Sequence, residues 1–145
     1  MLNLKTSARN HFTGTVSAYK QGAVNDEVEI NVGGSTRVVA VVTHESAQTL
    51  GLKVGASAHA LIKASSVVLA TDLQGVRLSA RNQFEGKVTA FTPGAVNAEV
   101  LVDIGGGLRI AAVVTKTSAQ ALGLAVGKPV TALFKASSVI VATTA

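Results

Sequence analysis

The chain is written twice. Ser7-Ala8-Arg9-Asn10-His11-Phe12 returns as Ser79-Ala80-Arg81-Asn82-Gln83-Phe84, and the correspondence runs on in register almost to the C-terminus. A shift of about 72 positions gives roughly 38 identities over about 65 aligned residues without a gap, which marks a tandem duplication in which each copy is one folding unit. The 145 residues therefore divide into an expected first domain, 1–72, and a second, 73–145. Units of about 70 residues have marginal cores, and assembly into an oligomer is the usual remedy. The stretch 71–75 is too short for independent tumbling, so a fixed pair of domains is expected.

Composition narrows the classes. Nearly half the residues, 48%, are hydrophobic, which sets the chain among folded rather than disordered proteins. There is no cysteine, so disulfides, thiolate nucleophiles and sulfur metal sites are excluded together. No run approaches the roughly 18 apolar residues of a membrane span, and the first residues have no apolar core of signal-peptide length. A soluble cytoplasmic protein without a membrane partner is expected. The net charge of +5 favours anionic partners but does not choose among nucleic acid, acidic surfaces and small oxyanions.

Within one copy, residues 12–19 alternate and carry a glycine bend at Gly14. Val28, Ile30 and Val32 alternate with Glu27, Glu29 and Asn31, the pattern of a strand with one wet face. Gly33-Gly34 marks a tight hairpin. The run at 37–43 is β-branched on both faces and should be covered on both sides. One helical stretch fits, from His44 to about Leu50, with Thr43 or Ser46 as its N-cap and Gly51-Leu52 as its stop. Residues 58–70 then close the unit as one long or two short strands. The fold class is all-β: two tandem five-stranded barrels of oligonucleotide/oligosaccharide-binding (OB) type, each with one short helix.

Three polar stretches survive in both copies although packing does not require them. They are Ser7-Ala8-Arg9-Asn10 with its copy at 79–82, Thr43 and Ser46 with Thr115 and Ser118, and Lys63-Ala64-Ser65-Ser66 with Lys135-Ala136-Ser137-Ser138. Every polar side chain in the set can donate a hydrogen bond and none is a carboxylate. Two cations with several hydroxyls suit a dianion, and a helix start adds free N–H groups. Phosphate near neutral pH keeps a proton that wants an acceptor, whereas molybdate, tungstate and sulfate want donors only. A serine hydroxyl can accept, so phosphate stays open on this ground.

These motifs, with Gly-Ala-Val-Asn at 22–25 and 94–97, resemble the molybdenum-pterin-binding (Mop) domain, which is TOBE-like, and two copies resemble the di-Mop arrangement of molbindins. The resemblance covers essentially the whole chain. It implies a cytoplasmic protein that binds and stores molybdate or tungstate, with no other cofactor, in a homo-oligomer expected to be a trimer. It implies oxyanion sites between neighbouring domains, with Ser-Ala-Arg from one domain and Thr-x-x-Ser and Lys-Ala-Ser from another. By motif these are Ser7, Arg9, Thr43, Ser46, Lys63 and Ser65, and Ser79, Arg81, Thr115, Ser118, Lys135 and Ser137. A second class of site near a threefold axis is assigned to Gly22, Ala23, Asn25, Gly94, Ala95 and Asn97.

Other roles compete for some of these residues. Thr43 and Ser46 would cap a helix in any protein, Asn25 and Asn97 suit turns, and Asn10 and Asn82 suit holding backbone. His11, His44 and His59 become Gln83, Lys116 and Thr131, so no metal-ligand set is expected and the metal enters only inside the oxyanion. No nucleophile, base or metal cluster recurs in both halves, so no enzyme is expected. The alternative is an OB-fold nucleic-acid binder. With one tyrosine, four phenylalanines and no tryptophan, few platforms are left for stacking bases, and no nucleic-acid partner is expected.

Overall fold

The computed structural model describes residues 4–144. The first copy runs β1 (Asn10–Lys20), β2 (Asn25–Gly33), β3 (Thr36–Thr43), α1 (His44–Leu50), β4 (Ser57–Ile62) and β5 (Val68–Ala70). The second runs β6 (Asn82–Pro93), β7 (Asn97–Gly105), β8 (Leu108–Thr115), α2 (Lys116–Leu122), β9 (Pro129–Phe134) and β10 (Ile140–Ala142). A single 3-10 turn, Ala64–Ser66 or Ala136–Ser138, precedes β5 and β10.

Two antiparallel five-stranded sheets result, in the orders β10-β4-β1-β2-β3 and β5-β9-β6-β7-β8. In each, the two edge strands approach one another, which curls the sheet toward a barrel. The expected all-β class, with five strands and one short helix per unit, is what the chain forms. Val28, Ile30 and Val38 fill the first core, and Val100, Val102 and Ile110 the second. Each such side chain contributes roughly 1.5 to 3 kcal/mol by leaving water. The wet face of β2 carries Glu27 and Glu29 as the alternation predicts. Gly14 is required by close approach: a Cβ there would lie 2.0 Å from the Asn31 carbonyl oxygen, and at Gly86 2.2 Å from that of Asp103.

The folded units do not follow the repeat boundary at 72/73. The first compact unit is the chain up to Ile62 together with the chain from Lys135, and the second is Lys63–Phe134. Strand β10 pairs with β4, while β5 pairs with β9, in equivalent registers: Ile140↔Leu61 and Val68↔Leu133. The link that permits it is residues 63–67, whose sequence is the same at 135–139. Lys63 and Val67 are both extended, at φ −64°, ψ 137° and φ −88°, ψ 127°, around one 3-10 turn. This stretch contains neither a glycine nor a positive-φ residue that would fold β5 back onto β4. The chain travels on, and the exchanged strand is seated by buried Val139 and Val141, as β5 is by Val67 and Leu69.

Candidate functional site

The start of each helix is built alike. Thr43 is the N-cap, not Ser46: its Oγ1 accepts from the Ser46 N–H at 3.1 Å and donates to Ser46 Oγ at 2.8 Å. Thr115 and Ser118 repeat both distances. The two hydroxyls are thus held side by side on the first turn. At the other end Gly51, at φ 68°, stops α1. Its N–H and that of Leu52 cover the carbonyls of Gln48 and Ala47, and Leu52 is buried over the last turn.

The Gly-Ala-Val-Asn loops lie at the same end of the β2–β3 pair. Asn25 is the register partner of Thr43, and Asn97 of Thr115. Val24 O accepts from His44 N at 3.0 Å and Val96 O from Lys116 N at 2.8 Å, which ties each loop to its helix. Gly22, Ala23, Asn25, Gly94, Ala95 and Asn97 are all exposed. The structure therefore brings the second-class candidates beside the Thr-x-x-Ser pairs.

The strand exchange sorts the lysine motifs. Lys135 and Ser137 belong to the unit of Thr43 and Ser46, where the Ala136–Ser138 turn packs against β3. Lys63 and Ser65 belong to the unit of Thr115 and Ser118, where Ala64–Ser66 packs against β8. Each Thr-x-x-Ser pair thus shares a unit with the Lys-Ala-Ser motif of the other copy. Ser7 and Arg9 precede β1 at its Asn10 end, and the Lys20 end leads into the Gly-Ala-Val-Asn loop. About 30 Å of strand lies between. Ser79 and Arg81 stand in the same relation to β6. All twelve side chains assigned to the first class are exposed on the single chain. Asn10 is buried and donates from Nδ2 to Ile62 O at 3.2 Å, which is the backbone-holding role.

One cluster escaped sequence reasoning. Asp26 is buried directly beneath the first loop, where its Oδ1 accepts from the Gly22 N–H at 3.1 Å. Its Oδ2 accepts from Tyr19 Oη and, at 2.8 Å, from His44 Nδ1, which must carry the proton because an ionised carboxylate only accepts. Burial alone would raise this carboxyl, but the bonds from Tyr19, His44 and Gly22 outweigh it and hold it below its usual range. The same hydrogen bond, with burial and the negative charge added, pushes the Tyr19 phenol up to about 12. The signal was in the repeat: Tyr19, Asp26 and His44 become Phe91, Ala98 and Lys116, three changes that cover one contact.

Chemically, the arrangement offers exposed hydroxyls, amides and cations on a stiff sheet. Among the described residues no group of three His, Asp or Glu side chains converges, and no helix is long and apolar enough to cross a membrane. The solved structure of the cytoplasmic molybdate-binding protein ModG, with molybdate bound, superimposes with a TM-score of 0.94 at 50% identity, covering 97% of this chain and 100% of that one. The molybdenum-pterin-binding protein MopA of Rhodobacter capsulatus is 49% identical over 141 residues, 97% of this chain and 53% of MopA. The molybdenum transport protein ModE of Herbaspirillum seropedicae is 46% identical over 141 residues, 97% of this chain and 52% of ModE. The chain spans about half the length of the curated relatives it matches. The profile of the TOBE domain matches residues 6–69 and again 78–141, so the chain belongs to the TOBE domain family, as two tandem copies.

Proposed function

We propose that this chain is a cytoplasmic binding and storage protein for molybdate and tungstate, and not an enzyme. The observation that carries this reading is the match along the full length of ModG, whose structure holds molybdate. The sites are formed between domains of an oligomer, a trimer of the chain, with no nucleic-acid or membrane partner. Ser7 and Arg9, or Ser79 and Arg81, come from one domain. Thr43 and Ser46 with Lys135 and Ser137, or Thr115 and Ser118 with Lys63 and Ser65, come from another. Two facts support a shared site. The side chains are exposed on the single chain, and Ser7 and Arg9, or Ser79 and Arg81, are separated from the Thr-x-x-Ser pair of their own unit by the length of β1 or β6. The loop residues Gly22, Ala23, Asn25, Gly94, Ala95 and Asn97 form the second class.

The mechanism is donor matching. A tetrahedral dianion accepts from hydroxyls, backbone N–H groups and cations, and each hydrogen bond to a charged group contributes roughly 1.5 to 3 kcal/mol. Phosphate brings a proton for which the set has no carboxylate acceptor, so it should bind more weakly. The test is calorimetric titration with molybdate, tungstate, sulfate and phosphate, of the wild type and of Lys63→Ala with Lys135→Ala. The double variant is expected to lose about ten- to a hundredfold in molybdate affinity with its oligomer intact. Unchanged affinity would remove the lysines from the site, and a monomer by light scattering would remove the intersubunit design. A gel-shift assay with single-stranded DNA is expected to show no complex.

A further inference from the structure

The structure brings together two side chains that the oxyanion reading does not use. His11 on β1 and His59 on β4 lie on one face of the first sheet, diagonal across the pairing Thr13↔His59. His11 Nε2 is 2.9 Å from His59 Nδ1, with ring centroids 5.0 Å apart, and Thr13 Oγ1 is 3.2 Å from the same His59 nitrogen. Both strands are interior to the sheet order, so the pair is fixed by hydrogen-bonded backbone on either side. His11 is exposed and His59 half-buried, so solvent ions reach the nitrogens.

We propose that His11 and His59 form a chelating site for a late first-row divalent metal ion, with Cu2+ bound most tightly and Ni2+ after it. The donor type selects the metal class: two neutral imidazoles suit late first-row divalent ions, whose affinity for nitrogen sites peaks at Cu2+ with Ni2+ next, and a rotation of the two facing rings turns both nitrogens toward one ion. In the metal-free protein one imidazole donates to the other across this gap. On binding, the donating ring moves its proton to its outer nitrogen, so both facing nitrogens offer lone pairs and no net proton is lost. The resulting pair is His11 with Nδ1–H and His59 with Nε2–H. Among the described residues no third histidine or carboxylate joins them, so water completes the coordination, with Thr13 Oγ1 placed to hydrogen-bond one such water.

The second unit supplies the control. Its equivalent positions are Gln83 and Thr131, and Gln83 Nε2 donates to Ala80 O at 2.8 Å and Leu78 O at 3.2 Å within the same fold. His11→Gln with His59→Thr therefore writes a natural solution into the first unit. The full chain is titrated with CuCl2 in a non-coordinating buffer by calorimetry and electron paramagnetic resonance. One equivalent per chain with hyperfine coupling to two imidazole nitrogens is expected. The double variant, and each single one, should weaken that class by roughly tenfold or more, because a chelate becomes at most a single ligand. A wild type without this equivalent, or a double variant that retains it at unchanged affinity, overturns the proposal. Paramagnetic broadening in the NMR spectrum of the unaltered chain gives an independent reading. It should centre on His11, Thr13 and His59, and broadening centred elsewhere overturns the assignment.

Discussion

The two units share a scaffold and differ in what lies beneath the loop that leads into β2 or β7. In the first, the Gly22 N–H donates to the buried Asp26 carboxylate, which also receives Tyr19 and His44. In the second, the Gly94 N–H donates to Asn97 O at 2.7 Å, and Phe91, Ala98 and Lys116 stand where the other three were. The same loop is therefore held once by a buried charge and once by backbone alone. Duplicate folds do not need duplicate polar interiors. The apolar solution leaves nothing to satisfy, whereas the charged one works only while all its donors are present.

The sharpest test of the shared scaffold is at its tightest point. Gly14→Ala and Gly86→Ala each put a methyl within about 2 Å of a carbonyl oxygen, and each should destabilise its unit by about 3 kcal/mol or more. Urea unfolding followed by hydrogen exchange should show equal losses, one per unit. Unequal losses would mean that β1 and β6 are not held alike.

Asp26→Ala breaks the comparison next. It leaves the Tyr19 hydroxyl and the Gly22 N–H without their acceptor, and the thermal midpoint should fall by roughly 5 to 10 °C. Tyr19→Phe with Asp26→Ala and His44→Lys copies the second unit in full and should recover most of that loss. A triple variant no better than the single would show that the two interiors are not interchangeable.

A smaller effect is read by pH. The Asp26 carboxyl is depressed in the folded state, so its stabilisation is present above the unfolded carboxyl value of about 4 and is lost as pH falls through the folded one. The Tyr19 phenol is raised to about 12, so its contribution is complete below an unfolded value near 10 and fades as pH rises through 12. The cluster thus acts in full between about pH 4 and pH 10. Wild-type stability should drop outside both limits relative to the triple variant, and parallel pH profiles would refute the linkage.

Much of the strand plan was legible because period-two alternation and paired glycines are local signals. The Val28 and Ile30 face, the Gly33 hairpin and the Gly51 stop all stand where the residues put them. The strand exchange was not legible. Residues 63–67 and 135–139 are identical and the strands after them are equally apolar, so nothing local says whether Val68 or Ile140 pairs beside Leu61. Partner choice is a tertiary property. Asp26 was hidden for a different reason: period two sets it on the buried face with Val28 and Ile30, but a charged residue at a strand start reads as loop, and the partners that satisfy it, Tyr19 and His44, are brought to it only by the fold.

The smallest expected difference concerns the oxyanion itself. The first turn of α1 carries Glu45 next to Ser46, with the Asp26 carboxylate below His44, whereas α2 opens with Lys116 and Thr117. A negative charge at a helix start opposes a bound anion and a positive one favours it, by about 0.3 to 1 kcal/mol each at an exposed position in low salt. The proposed sites built on Thr115 and Ser118 should therefore hold molybdate roughly two- to tenfold more tightly than those built on Thr43 and Ser46. Calorimetry on Thr43→Ala with Ser46→Ala, and separately on Thr115→Ala with Ser118→Ala, isolates the two classes. Raising the salt should narrow the gap, because these charges are exposed and screened. Glu45→Thr should raise the weaker class toward the stronger one. Equal affinities at low salt would show that the ligand sees only the paired hydroxyls and cations common to both units, and not the charges in which they differ.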